Sequence, residues 1–200
     1  MIKIVGISGS PRKEKNTEFL VKLALESIKE KEPSVETVFI PLSEKYFFGC
    51  LSCGYCHEHY GCSQKDDLYP VLEQLKDETI KGLIIGSPVY MGGMSSQTKA
   101  FLDRTVLFRR NQFKFQHLLG GALATGGSRN GGQELVLQNI HASLMIHNMI
   151  IVPDSAPTSH FGGAVWERVP GGMENDPIAL ETVKNLGYNM ASLIQKMFLK

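Results

Sequence analysis

Residues 2–17 read Ile2-Lys3-Ile4-Val5-Gly6-Ile7-Ser8-Gly9-Ser10-Pro11-Arg12-Lys13-Glu14-Lys15-Asn16-Thr17. Ile2 to Ile7 is a nearly continuous apolar run, the pattern of a short strand buried on both faces. A hydroxyl-rich, glycine-containing turn follows. From Thr17 to Glu30 the apolar residues Phe19, Leu20, Leu23, Ala24 and Ile28 recur at helical spacing, with Asn16 or Thr17 as candidate cap. A buried strand turned directly into an amphipathic helix is the opening of an α/β unit.

The same alternation continues along the chain. Val35–Leu42 reads as a second strand and Leu68–Leu75 as a short helix capped by Asp66 or Asp67. Leu83–Gly86 reads as a third strand, stopped by Ser87-Pro88. Gln97–Phe108 is helical, Gly121–Thr125 a fourth strand, Gly131–Ile146 a helix and Met149–Val152 a fifth strand. Pro177–Phe198 closes the pattern as an amphipathic helix with proline in its first turn. The 200 residues, 42% of them hydrophobic, suffice for one packed domain spanning 1–200. Alternating strands and helices predict a doubly wound, five-stranded parallel sheet of order 2-1-3-4-5. In that order ligands bind at the carboxyl ends of strands 1, 3 and 4.

The segments after those three strands are unlike ordinary connections. After the first, Ser8, Ser10, Asn16 and Thr17 offer hydrogen bonds and Arg12 offers charge beside a helix N-terminus, whose free N–H groups suit a phosphate. The loop is neither a Walker A sequence nor a G-x-G-x-x-G turn. After the third strand, Pro88, Val89, Tyr90, Met91 and Gly92 offer flat and polarizable surface beside a backbone that can come close to a planar ligand. After the fourth, Thr125, Gly126 and Gly127, with Gly131 and Gly132, form a loop rich in free N–H groups. Taken singly, each has a plain alternative: a capped βα turn, a packed glycine turn, a flexible loop. Together they suggest a phosphorylated planar mononucleotide, for which FMN is the economical choice.

With 21 basic against 20 acidic side chains and a net charge of +1, the chain has no electrostatic footprint for nucleic acid or an anionic membrane. No apolar run approaches the roughly 20 residues of a membrane span, and the first residues lack signal-peptide character. A soluble, cytoplasmic protein is expected. The four cysteines fall at Cys50-x2-Cys53-x2-Cys56-x5-Cys62. Such clustering points to metal or redox chemistry rather than a disulfide framework. Two-residue gaps let a loop at about 45–66 wrap one iron–sulfur cubane, helped by Gly49, Gly54 and Gly61. A four-cysteine zinc site and a redox-active thiol pair remain alternatives. His57 and His59 are read as exposed loop residues, and His117, His141 and His147 receive no role.

Ser8-Gly9-Ser10-Pro11-Arg12 with Asn16-Thr17, Ser87-Pro88-Val89-Tyr90 and Ala124-Thr125-Gly126-Gly127 resemble the NADPH-dependent FMN reductase-like flavoproteins of flavodoxin-like fold. With Cys50, Cys53, Cys56 and Cys62 added, the chain resembles the iron–sulfur flavoproteins, from about Lys3 to Val152. That resemblance implies bound FMN, one [4Fe–4S] cluster, electron transfer, and a homo-oligomer, dimer or tetramer. A ferredoxin-type donor and small acceptors follow as expected partners, with no single residue catalytic. The rival functions are an NAD(P)H-dependent FMN or quinone reductase with structural zinc, and a non-catalytic redox sensor. The segment 154–176 is long for a connection and is expected to pack across a subunit boundary.

Overall fold

The computed structural model describes residues 1–199. Its strands are β1 (Lys3–Ser8), β2 (Glu36–Pro41), β3 (Ile80–Tyr90), β4 (Gly93–Met94), β5 (Leu119–Gly126), β6 (Ile150–Ile151) and β7 (Gly163–Trp166). Its helices are α1 (Asn16–Lys31), α2 (Tyr55–Glu58), α3 (Tyr69–Gln74), α4 (Ser96–Arg104), α5 (Val106–Arg110), α6 (Gln133–Ile146) and α7 (Pro177–Phe198). The sheet order β2-β1-β3-β5-β6 is the expected one. All pairs along it are parallel, in registers such as Val5↔Val38, Val5↔Leu83 and Ile84↔Gly121.

Two apolar cores cover the two faces. On one, Ile4, Ile84 and Leu123 pack against Leu20, Ala24 and Ile28 of α1 and Val183, Leu186, Met190 and Ile194 of α7. On the other, Val5, Ile7, Ile85 and Ala122 meet Leu72 of α3, Phe101 of α4, Phe108 of α5 and Val136 and Ile140 of α6. Each of the larger side chains among them contributes about 1.5–3 kcal/mol of burial. The central strands therefore read as unbroken apolar runs, and every residue of β5 is buried. Among the described residues no helix is long and apolar enough to cross a membrane.

Four local expectations are corrected. β3 does not stop at Ser87-Pro88 but continues to Tyr90 and folds back through β4. Pairing with β1 ends at Gly86, so beyond it β3 has one long neighbour, and proline is tolerated as on an edge strand. The helix expected over 97–108 is two, broken at Thr105, whose hydroxyl is 2.8 Å from His147 Nε2. Phe101, Leu102, Leu107 and Phe108 are buried in the core. The cap positions of α1 and α3 are Lys15 and Leu68, neither with a side-chain cap, so Asn16, Thr17 and Asp67 act elsewhere, while Asp66 Oδ1 accepts from Leu68 N at 3.2 Å just ahead of α3. Finally, the fifth sheet position is shared. β6 pairs with the start of β5, while β7, from the segment 154–176, pairs with its end at Leu123↔Gly163 through Gly126↔Trp166. Part of that segment thus belongs to the chain's own sheet.

Candidate functional site

The first loop is tied down by side-chain hydrogen bonds. Ser8 and Ser10 are buried. Ser10 Oγ accepts from Arg12 N at 3.1 Å, a local turn that shapes the backbone ahead of α1. Buried Glu18 accepts from Glu14 N at 3.0 Å and from Ser43 Oγ at 2.8 Å, tying the loop to the chain beyond β2. Because Lys15 provides no side-chain cap, the first-turn N–H groups of α1 have no side-chain acceptor from the cap position. Such N–H groups, with the helix dipole, are of the kind that suits an anion.

Contacts join this loop to the other two. Thr17 Oγ1 lies 3.1 Å from Thr125 Oγ1, linking the loops after β1 and β5. Ser95, the cap of α4, donates its hydroxyl to the Gly9 carbonyl and accepts from Thr98 N at 3.1 Å. Thr98 Oγ1 reaches Ser87 Oγ at 3.0 Å. This buried hydroxyl cluster seats the first loop against the end of β3. A Cβ on Gly9 would lie 1.9 Å from Thr98 Oγ1, so only glycine fits there. The hairpin between β3 and β4 turns through Met91 and Gly92, at φ 49° and 76°. It leaves Met91 fully exposed and Tyr90 part-exposed at the tip. Gly132, at φ 111°, packs against the Gly92 carbonyl, bringing hairpin and third loop together. Gln133 clamps that loop, accepting from Gly131 N at 2.9 Å and donating to the Ser128 carbonyl at 2.8 Å.

A fourth wall was not foreseen from the sequence. Just past β7, Glu167 N donates to the Gly126 carbonyl at 2.9 Å. Its carboxylate accepts from Asn16 Nδ2 at 3.0 Å and Arg12 Nη2 at 3.4 Å. A side-chain anion thus lies at the start of α1. Trp166 Nε1 donates to the Gly127 carbonyl at 3.4 Å, and the Arg129 guanidinium stands 5.0 Å from the Trp166 ring centre. The only sequence signal for this wall was the length of segment 154–176.

The cysteine segment leaves β2 and folds over α4 and α5. All four cysteines are free, Cys50 and Cys53 exposed and Cys56 and Cys62 half-buried. They line one pocket with Gly54, Gly61, Arg104 and Arg110. Arg104, 2% exposed, is the hub. It donates to the carbonyls of Phe48 at 3.4 Å and Gln64 at 3.0 Å, to the Asp66 carboxylate, and to Cys62 Sγ at 3.3 Å. Burying a guanidinium costs several kcal/mol unless it is so paired, and losing the pairing costs about 3–5 kcal/mol. Its Nε remains buried without an acceptor. Arg110 Nη1 donates to Cys56 Sγ at 3.2 Å. The Ser63 hydroxyl, with help from Tyr55 N–H and Arg110, holds the Cys53 thiol below the usual cysteine range. His57 and His59 are exposed, while His141 and His147 are buried. Among the described residues, no three His, Cys, Asp or Glu side chains converge to hold a single ion.

A family model described as NADPH-dependent FMN reductase matches residues 2–163. An iron–sulfur flavoprotein of Methanocaldococcus jannaschii is 44% identical over 194 residues, covering 97% of this chain and 98% of that protein. The iron–sulfur flavoprotein of Methanosarcina thermophila is 40% identical over 194 residues, covering 97% and 96%. Among solved structures, the flavodoxin-like, WrbA-like protein from Agrobacterium tumefaciens superposes with a TM-score of 0.64 at 16% identity, covering 97% of each chain, a likeness of fold. The chain belongs to the NADPH-dependent FMN reductase family and, within it, to the iron–sulfur flavoproteins.

Proposed function

We propose that the chain is a cytoplasmic electron-transfer flavoprotein, residues 1–200 forming one domain that holds FMN at the three joined loops and a [4Fe–4S] cluster at Cys50, Cys53, Cys56 and Cys62. The observation that carries this is the closing of the loops on one another at the start of α1, through Thr17–Thr125, Ser95–Gly9 and Gly132–Gly92. Ser8, Ser10, Arg12, Asn16 and Thr17 would hold the phosphate. Pro88, Val89, Tyr90, Met91 and Gly92 would flank the ring, and Thr125, Gly126 and Gly127 would meet its polar edge. The residues fit the group: hydroxyls beside a helix start without a side-chain cap suit an anion, and the exposed tip at Tyr90 and Met91 offers apolar surface. FMN supplies one- and two-electron chemistry, and a cluster supplies single electrons. The chain's own work is to hold, orient and shield.

The cysteine pocket fits a cluster by its donors. Four thiols share one wall-to-wall pocket with two guanidiniums. Zinc would draw its sulfurs to within about 4 Å of one another, whereas cluster ligands would stand at the separate corners of a cubane. Homo-oligomerisation, a ferredoxin-type donor and small acceptors complete the reading. The family description favours a second reading, an NADPH-dependent reductase with structural zinc. Anaerobic purification followed by iron, sulfide, zinc and FMN analysis separates them. About four iron, four sulfide and one FMN per chain are expected. Zinc without sulfide, with rapid flavin bleaching by NADPH, selects the reductase, and absence of flavin overturns the loop assignment.

A further inference from the structure

We propose that Arg104 and Arg110 form a cationic clamp that raises the reduction potential of the cluster; this rests on the cluster assignment above. Both side chains line the cysteine pocket, and each donates to a different sulfur, Arg104 to Cys62 and Arg110 to Cys56. Residues six apart on one unbroken helix lie on different faces. The break at Thr105, where one N–H is shared between the Phe101 and Leu102 carbonyls, re-aims the chain so that both face the cysteines. The interruption of a helix that the sequence reads as continuous therefore has a use.

Arg104 holds more than a structural brace requires. Its Nη atoms already bridge the start and end of the cysteine loop, at Phe48, Gln64 and Asp66. Its buried Nε still lacks an acceptor, and a buried unpartnered donor calls for one. A cluster sulfur held in the same pocket would supply it. In charge, Asp66 offsets one of the two guanidiniums, leaving a surplus positive charge beside the thiolates. Reduction adds one negative charge to the centre, taken from a one-electron reductant. Neighbouring cations and N–H···S bonds favour the more negative form, so they move the potential upward.

The test uses the full chain, purified without oxygen. Iron and sulfide are measured first, then a dithionite titration with mediators is followed by electron paramagnetic resonance. Arg110→Gln removes a charge from a half-exposed side chain and is expected to fold. With iron and sulfide complete, its potential is expected to be more negative than the parent's. Arg104→Lys keeps the charge and loses the fork, and is expected to lie between the two. Arg110→Gln with complete iron and an unchanged potential overturns the clamp, as does loss of iron from that variant with its flavin retained, which assigns the arginine to loop structure. Should Arg104→Lys fail to fold, Arg110→Gln decides alone. A parent without sulfide overturns the cluster assignment itself and the clamp with it, an outcome distinct from the others.

Discussion

Gly9 lies where two loops touch, and the space for a side chain is already taken. A Cβ there would meet Thr98 Oγ1 at 1.9 Å and Thr98 Cβ at 2.8 Å. Thr98 cannot swing freely, because its hydroxyl also serves Ser87 and Ser95. Gly9→Ala is therefore expected to cost about 1–3 kcal/mol, as overpacking does, and to weaken FMN retention. Thermal unfolding and flavin titration of the apoprotein would measure the two; equal values for variant and parent would refute the close approach. His147 gives a pH dependence. Burial, with the Arg109 charge second, lowers its pKa to about 4. The unfolded imidazole takes its proton near about 6.5. Between those values the unfolded chain binds more protons, so stability is full above about pH 6.5 and declines as pH falls toward about 4. His147→Gln keeps a partner for Thr105 and cannot titrate. Its urea midpoint is expected to fall less than the parent's between about pH 7 and 4.5, a difference on the order of 2 kcal/mol.

The α1–α7 pair depends on one small residue. A Cβ on Gly187 would lie 2.5 Å from the Ala24 carbonyl oxygen and 2.8 Å from Ser27 Cβ. Alanine gains about 1 kcal/mol of helix propensity over glycine. The clash is with backbone, which cannot rotate away, so the packing loss wins. Gly187→Ala is expected to lower the melting temperature by a few degrees in calorimetry; an increase would mean that the helices separate freely. Both helices were legible from their apolar spacing, as was β1 from its nearly continuous apolar run. β7 was not. Gly163-Ala164-Val165-Trp166 is short and follows a glycine, and only its pairing with Leu123–Gly126 makes it a strand. The break at Thr105 was equally hidden, with neither proline nor glycine to mark it. At the site, the three loops were visible because their composition is unusual at strand ends. Glu18, Ser95, Thr98 and Glu167 were not, since their roles arise from distant partners. Glu167 carries a prediction of its own. Its carboxylate lies on Arg12 and Asn16, where an FMN phosphate would bring like charge. Glu167→Gln is expected to tighten FMN binding about 3- to 10-fold, as removing a like charge worth about 1 kcal/mol does. Fluorescence titration reads this directly, and weaker binding would make Glu167 a ligand-holding group instead.

The two proposed centres hang on one frame but use different parts of it. The flavin loops are ends of β1, β3 and β5, held by buried hydroxyls. The cysteine segment lies outside the sheet, and Phe47, Cys56 and Cys62 of it pack against a core, with Tyr60 edge-on to Phe108. Cys50 and Cys53 are exposed, so replacing them with serine removes no core burial and should alter the stability of the iron-free chain by less than about 0.5 kcal/mol. The double variant Cys50→Ser, Cys53→Ser is expected to lose its iron while keeping FMN affinity close to the parent's, measured by metal analysis and flavin titration on the same preparation. One element gives this expectation its risk. α4 begins at Ser95, bonded to the Gly9 carbonyl, and ends at Arg104, bonded to Cys62 and Asp66. If flavin affinity fell together with iron, α4 would be transmitting the state of the cysteine pocket to the phosphate loop. If it held, the hydroxyl cluster at Ser87, Ser95 and Thr98 fixes the flavin end independently, and coupling between the centres is left to electrons alone.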